Sequence, residues 1–495
     1  MIRRRFCAPL LLGPALAAAL LLVAPVARSQ GGFTVAQVDA GTFGLQQLQY
    51  VAPSLVFRPL DMLGVRAGAE GWAMGGANVA HATGIGAIAW NPAGLGWTER
   101  PSIAGELESI RSSGVVTGVP DTFNIPGQPR FSVRGYEVNL KSVLRYKMLG
   151  AGRPIHLFGT KRVVGALSLR RYLDVTYPEV VIAELSFREG VSFPVKIAAD
   201  EKESGGVDAA AVSAAVEIIP GQASIGVNLN LLDGRLRSNQ EYIVSAGGYS
   251  YTPAVRKVHW SYRGLSTDLG IQYRREGLGG VGVRYTPSYT LAVTRGRFSI
   301  QEVPGVGGTT AYLLYGRLAG YDMVVPRLLT VGLWIEPRPW LKVAADLNSQ
   351  KWSETEIKYR EAFVGREQNP SLPLRDVESY HFGAEANLLK LGQVSLPFRL
   401  GYQGGPLSVA KLSPNLKSYD LDTWPGGEVK SNAYDFGIGF EVGNVRYDLS
   451  YEVLDYKIKK FYFDEPYNYL LNDQSLVVKV DRRVTLLRLG ATLLL

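Results

Sequence analysis

Tyr434-Asp435-Phe436-Gly437-Ile438-Gly439-Phe440-Glu441-Val442, then Gly443-Asn444, then Val445-Arg446-Tyr447-Asp448-Leu449-Ser450-Tyr451-Glu452-Val453-Leu454 is the stretch that decides the fold. In the first run every even residue is apolar and every odd one small or acidic. In the second the odd residues are apolar, and Arg446, Asp448, Ser450 and Glu452 alternate with them, followed by Leu454. Successive side chains on a strand point to opposite faces, so these are two-faced strands joined by a two-residue Gly-Asn turn.

The same period recurs along the chain. Ile225, Val227 and Leu229 stand against Gly226, Asn228 and Asn230, and Val343, Ala345 and Leu347 against Ala344, Asp346 and Asn348. Phe382, Ala384 and Ala386 stand against His381, Gly383 and Glu385. Alternation of this kind predicts fourteen strands from Ser102 onward, the second over 135–146, the third over 162–177 and the last over 478–495. Tight reversals at Pro220-Gly221-Gln222, Arg275-Glu276-Gly277, Pro337-Arg338-Pro339, Leu389-Lys390-Leu391 and Gly443-Asn444 alternate with long polar connections near 233–257, 296–325, 353–377, 403–430 and 457–476. Short turns at one end and long loops at the other are the asymmetry of an outer-membrane barrel, periplasmic and extracellular respectively. The expected fold is all-β, a 14-stranded antiparallel transmembrane β-barrel over 101–495, with an N-terminal segment and hatch or plug over 30–100. An even strand number returns the C-terminus to the periplasmic side, where the N-terminus is expected too.

Residues 1–29 read as a secretory signal peptide: Arg3, Arg4 and Arg5 form a positive n-region, Leu10 to Val23 an apolar h-region, and Ala27-Arg28-Ser29 a small-residue cleavage site. They contain four of the 53 cationic residues and no acid, so the remainder carries 49 − 44 = +5 over 466 residues. That is too little, and too evenly spread, for a nucleic-acid face. Cys7, the single cysteine, falls within the signal, which leaves a chain without disulfides. Beyond residue 100 no apolar run reaches the ~18 residues of a membrane helix. Near-neutral hydropathy with 56 Gly and 26 Tyr fits lipid-facing and lumen-facing residues averaging out.

Just before the first strand lies Gly71 to Leu95, GWAMGGANVAHATGIGAIAWNPAGL. Glycine permits close backbone approach and alanine adds little bulk, so the stretch suits a narrow enclosed space. Hatch residues are expected at Gly75, Gly76, Asn91, Pro92 and Ala93. Two connections are unusually apolar, 311–318 (AYLLYGRL) and 461–471 (FYFDEPYNYLL), and exposed apolar patches mark binding surfaces or loops packed on one another. Tyr312, Leu313, Leu314, Tyr315 and Arg317 are the expected ligand-binding residues, an apolar groove rimmed by a cation.

Parity sets Arg171 on the lipid face with Val163, Leu167 and Leu173. At the midplane that would cost roughly 2–4 kcal/mol. Either the wall has a lateral window there, or the side chain snorkels to the headgroups; the length of strand from Arg162 favours snorkelling. Trp340 and Trp352 fall by parity on the lumen face with Lys342, Asp346 and Asn348, whereas Tyr434, Tyr447 and Tyr451 fall on apolar faces as aromatic-girdle residues. His81, His156, His259 and His381 lack the spacing of a metal pair. No nucleophile elbow, P-loop or dinucleotide fingerprint is present. No enzyme, catalytic residue, metal or cofactor is therefore expected.

Ala73-Met74-Gly75-Gly76-Ala77-Asn78-Val79-Ala80, followed by Trp90-Asn91-Pro92-Ala93-Gly94-Leu95, resembles the FadL/TodX family of outer-membrane hydrophobic-compound transporters and its PorV-like branch, whose members assist protein secretion. The resemblance covers about 30 residues closely and the rest in architecture. It implies a hatch inside the barrel, substrate capture in an apolar extracellular groove, and sideways release into the membrane. Asn91, Pro92 and Ala93 match the family's Asn-Pro-Ala element. Where family variants carry an acidic pair, this chain has His81-Ala82-Thr83-Gly84. The expected function is passive uptake of hydrophobic small molecules, plausibly long-chain fatty acids, in the outer membrane of a Gram-negative-type bacterium. The expected partners are that substrate, outer-membrane lipid and lipopolysaccharide, and the barrel assembly machinery. The alternative is a PorV-like component of a secretion machine with a secreted-protein partner.

Overall fold

The computed structural model describes residues 34–37, 66–117, 131–140, 142–157, 161–174, 177–187, 195–246, 249–302, 312–318, 320–360, 376–391, 394–406, 430–462 and 476–495. The expected signal peptide, 1–29, and the greater part of the long connections lie outside these residues.

The strands, in chain order, are β1 (Thr34–Gln37), β2 (Ser102–Thr117), β3 (Phe131–Leu140), β4 (Val143–Leu157), β5 (Lys161–Asp174), β6 (Tyr177–Phe187) and β7 (Val195–Ile219). Then come β8 (Ala223–Ala246), β9 (Tyr249–Arg275), β10 (Gly279–Thr286), β11 (Tyr289–Glu302), β12 (Tyr312–Leu318), β13 (Tyr321–Val325) and β14 (Leu328–Arg338). The last are β15 (Leu341–Gln350), β16 (Ile357–Tyr359), β17 (Val377–Leu391), β18 (Val394–Pro406), β19 (Lys430–Val442), β20 (Val445–Tyr462) and β21 (Leu476–Leu494). Antiparallel ladders run β2, β4, β5, β7, β8, β9, and β9 then pairs with both β10 and β11. β10 pairs with β14 and β11 with β13, so β10 with β11, and β13 with β14, each make one wall position. The ladder continues through β15, β17, β18, β19, β20 and β21, and β21 returns to β2. Fourteen wall positions close on themselves, as the alternation led us to expect.

Two details depart from the sequence reading. The second wall strand is Val143–Leu157 rather than 135–146; β3, which covers much of the expected stretch, leaves the wall and pairs with β6, which in turn pairs with the far end of β7. Its period-two pattern is equally good, and period alone does not say which neighbour a strand takes. The second departure is Leu389-Lys390-Leu391, which belongs to β17 and pairs with β18, so the reversal comes two residues later than read.

The outward faces carry Leu229, Leu269, Leu333, Leu347, Phe382, Leu400, Phe436 and Leu489, all exposed. A continuous apolar exterior of this kind is stable only against lipid, so the barrel spans a membrane. Tyr380, Tyr402 and Tyr434 form a row across three neighbouring strands, with ring centroids 6.1 and 5.5 Å apart, and Phe440 stacks on Tyr447 at 5.0 Å nearer the turn end. These are interfacial aromatics, among them the girdle residues expected at Tyr434 and Tyr447. Trp352 is buried as parity required, but Trp340 sits in the turn after β14 and is exposed, because a turn residue does not obey strand parity. Arg171 faces outward and is met by Asp208 at 2.9 Å and by the Tyr146 ring at 5.2 Å. A cross-strand acid therefore neutralises it.

The wall is interrupted at one level. Leu269 pairs with Tyr285 and Gly264 with Leu291, so Leu265 to Asp268 of β9 have no ladder partner on that side. On the next two positions the ladder skips Pro287-Ser288 and Pro326-Arg327, between the pairs Thr286–Leu328 and Tyr289–Val325. Proline has no N–H to donate, which accounts for a break at both residues.

Candidate functional site

Residues 66–98 form short helices and turns rather than strand, because Gly and Ala at this density neither favour the pleated sheet nor bulk out a core. Helix α1 is Ala69–Ala73 and α2 is Ala87–Trp90; a 3-10 turn follows over Pro92–Trp97. The Asn-Pro-Ala element starts that turn: the Asn91 side chain accepts from Ala93 N at 3.1 Å, and Pro92 stands at the first helical position, where its missing N–H costs nothing.

Several polar groups of this segment engage the inner wall. Asn91 Nδ2 donates to Val79 O at 2.9 Å and to Ile271 O at 3.0 Å on β9. Asp346 Oδ2 on β15 accepts from Asn78 N and Val79 N at 2.8 and 2.9 Å. Gly75 O meets His381 Nδ1 at 2.7 Å, and Arg66 donates to Asn348 Oδ1 at 2.6 Å. The last carbonyls of α2 point at cations: Arg170 Nη1 and Asn228 Nδ2 donate to Ile88 O at 2.9 and 2.8 Å, and Arg284 Nη1 donates to Ala89 O at 2.9 Å. Asp268, fully buried, holds both arginines at 3.1 and 2.8 Å, which satisfies charges that would otherwise be costly to bury.

Close approach is secured by wall glycines. A Cβ at Gly226, Gly270, Gly282, Gly383, Gly401 or Gly437 would run into Pro92, Asn91, Val79, Met74, Gly75 or Ala73 respectively. Ile85 fills the space over Gly150 and Gly152 on β4 in the same way. The segment thus touches wall strands all the way round. Gly75, Asn91, Pro92 and Ala93 stand in these contacts, and Gly76 packs against His381 and Arg66.

The inner wall changes character along several strands. Moving away from the turns, β8 presents Asn228 and Asn230, then Leu232 and Leu236; β9 presents Gln272 and Asp268, then Tyr262 and Trp260. β20 passes from Ser450 and Glu452 to Leu454, β21 from Arg488 to Leu486 and Val484, and β2 from Glu108 to Ile110. Leu291, Val293, Tyr321 and Met323 continue this belt, with the Trp260 and Tyr321 rings edge to face at 5.8 Å. A polar belt thus seats residues 66–98, and an apolar, aromatic belt lies on the long-loop side of it. The switch is written in the sequence as inward positions turning from Asn, Asp, Glu and Arg to Leu, Val and Tyr.

On the turn side a cavity of about 300 Å³ is lined by Glu70, His81, Trp97, Arg274, Lys342, Glu385, Arg399 and Arg446 among others. Its charges are mutually paired: Arg446 with Glu70 at 2.8 Å, Arg399 with Glu385 at 2.7 Å and with Asp448 at 2.8 Å. Glu70 and His81 belong to the inner segment and to no spanning strand. Burial disfavours the Glu70 carboxylate, but Arg446 and Arg399 outweigh it and hold its pKa below the ordinary range. Burial also lowers His81 to about 4, against the pull of Glu70, so His81 is neutral at neutral pH.

Tyr312, Leu313, Leu314, Tyr315 and Arg317 lie in β12, whose backbone pairs with the far end of β11 and, in parallel, with β1. Their side chains are outside the described residues. The connection read as a loop holds a strand here, beyond Val293, and among the described residues the apolar side chains the structure brings together are those of the inner belt. Among the described residues no group of three or more His, Cys, Asp or Glu side chains converges as a metal set would.

A structure of a Pseudomonas aeruginosa FadL homologue superposes with a TM-score of 0.55 at 12% identity, covering 87% of this chain and 99% of that one. The toluene transporter TodX of P. putida gives 0.51 at 13% identity, with 87% and 99% covered. This is the FadL-type fold. The FadL-type architecture expected from the Ala73–Leu95 motif thus extends over nearly the whole of both neighbours. No family model and no curated protein matches the sequence.

Proposed function

We propose that this FadL-type barrel carries hydrophobic small molecules passively across a bacterial outer membrane, with residues 66–98 as its hatch and the short turns on the periplasmic side. The observation that carries the reading is the switch of the inner wall from a polar seat to a belt of Leu232, Leu236, Tyr262, Trp260, Leu291 and Met323. Pockets for apolar ligands are lined in this way, with few polar groups. Two substrate classes fit such a belt, a long-chain fatty acid and an aromatic hydrocarbon such as the toluene that TodX transports. The aromatic side chains of the belt favour the hydrocarbon. The charged cavity on the turn side is unsuited to an apolar molecule. Release goes sideways, and the ladder gap at Pro287 and Pro326 supports this, since it lies at the level of Asp268, where the two belts meet.

Binding of toluene and of oleate to the purified barrel, followed by Trp fluorescence, tests the proposal. Saturable binding of either, lost in Trp260→Ala with Tyr262→Ala, is expected; absence of both sinks it.

A second reading, a PorV-like role in secretion, draws on β7, β8 and β9, of 25, 24 and 27 residues. At about 3.3 Å per residue and a tilt near 40°, each spans roughly 60 Å, well over twice the ~25 Å apolar band. Capture of a secreted domain, with no hydrocarbon binding, would replace the first reading with this one.

A further inference from the structure

The inner faces of β19 and β20 hold two acids that the seat does not use. Asp435 and Glu452 are direct cross-strand partners on the lumen side, each about 1% exposed. Like charges directly opposite one another destabilise a sheet. The cation that reaches this pair is Arg488, and it is divided: its Nη2 lies 2.7 Å from Glu452 Oε2, and its Nε lies 2.6 Å from Glu108 Oε2. Neither carboxylate oxygen of Asp435 meets a donor among the described residues.

A third oxygen is in the same position. Ser450 precedes Glu452 by two residues, faces the same way opposite Gly437, and so stands diagonal to Asp435 across the ladder. It is fully buried and its hydroxyl has no partner among the described residues. Gln403 closes the remaining side, giving Nε2 to Glu452 Oε1 at 3.1 Å and keeping its amide oxygen, and it is half-buried, which leaves a way in from the lumen. Buried polar atoms in folded proteins are nearly always satisfied. One shared proton would serve a single oxygen of the set, whereas a hard cation serves several at once, and oxygen-only donors select such ions. Arg488 reaches Asp435 only through its charge, its close contacts going to Glu452 and Glu108, so Asp435 lacks a cation in direct contact, and a single positive charge suffices.

We propose that Asp435, Glu452 and Ser450 form a binding site for a small monovalent cation of the sodium type in the barrel wall. The site borders the inner segment, since Gly437, next inward on β19, packs on Ala73 of α1. An ion there ties β19 and β20 together beside α1.

The test uses the full-length barrel in detergent at pH 8, comparing thermal unfolding in sodium chloride and in N-methylglucamine chloride at equal ionic strength. A saturable rise of several degrees specific to sodium is expected. Asp435→Asn should abolish the difference, and Ser450→Ala, which keeps the acid pair, should shift the sodium midpoint up by about tenfold, one lost oxygen ligand. Identical curves in the two salts overturn the proposal. So does stabilisation by calcium alone, which would mean a divalent site. A wild-type stability that ignores sodium but falls between pH 6 and 9, with the fall absent in Asp435→Asn, overturns it in favour of a bound proton.

Discussion

Gly401 of β18 and Gly75 of the inner segment meet backbone to backbone, with no room for a Cβ on the wall residue. Gly75 also has φ +65°, a conformation that only glycine adopts readily. Gly401→Val should therefore unseat the segment locally while leaving the β18 ladders able to form. Planar-bilayer recordings should show a larger, less selective conductance than wild type, in a protein that still migrates as a folded barrel. Wild-type conductance would mean that the segment does not occlude the lumen.

Asn91 is fully buried, and its amide joins Val79, Ile271 and Ala93. Asn91→Ala removes a donor from Val79 O, which keeps Gln272 Nε2 at 2.9 Å, and from Ile271 O, and takes the acceptor from Ala93 N–H, at about 1–3 kcal/mol for each group left unpaired and not reached by water. Asn91→Asp keeps the acceptor for Ala93 and loses the donors. Alanine should increase proteolytic cutting within 66–98 by at least tenfold, and Asp should do so as well, since the donors carry the wall contact.

The Glu70 and His81 pair makes the seat acid-sensitive. Folding lowers His81 from 6.5 to about 4, so the unfolded segment takes up a proton first, and stability is lost as pH falls from about 6.5 to about 4. Glu70, held low by Arg446 and Arg399, contributes stability above the ordinary glutamate range and loses it as the pH falls through and below that range. The two act in the same direction. Conductance should rise on acidification between pH 6.5 and 4, and in His81→Phe the onset should move to lower pH; a flat profile in both proteins would contradict the assignment.

The ladder gap offers a separate handle on transport. Pro287→Val together with Pro326→Val restores two N–H donors to facing wall positions. We expect unchanged toluene binding in detergent and uptake reduced several-fold in liposomes or cells. Unaltered uptake would argue that substrate leaves elsewhere.

The barrel was legible because a lipid-facing strand must alternate, and Tyr434 to Leu454 alternate almost without fault. The wall order was less so: β3 has the right period but pairs outside the wall, since alternation encodes faces and not neighbours. Of the residues expected in a hatch, Asn91 and Pro92 were carried by the Asn-Pro-Ala resemblance, and Gly75 by confinement. The apolar belt was missed although its sign was present. Leu454 stands among Asp448, Ser450 and Glu452 as the one apolar residue on the polar face, and the same lapse at Leu232 and Leu486 marks where the lumen changes character. The pairing of Arg171 with Asp208 needed the register, which no single strand carries.

One contact bears on the closing of the ring. Gly68 N donates to Glu106 on β2, and Ala69 rests near Gly490 on β21, so the segment begins at the seam where first and last wall strands join. From there it runs inside the ring past β19, β18 and β17 to β10, and returns over β4 and β8 to β9. The β2–β21 ladder that closes the ring therefore also holds the start of this segment, and a defect at the seam would weaken closure and seating together.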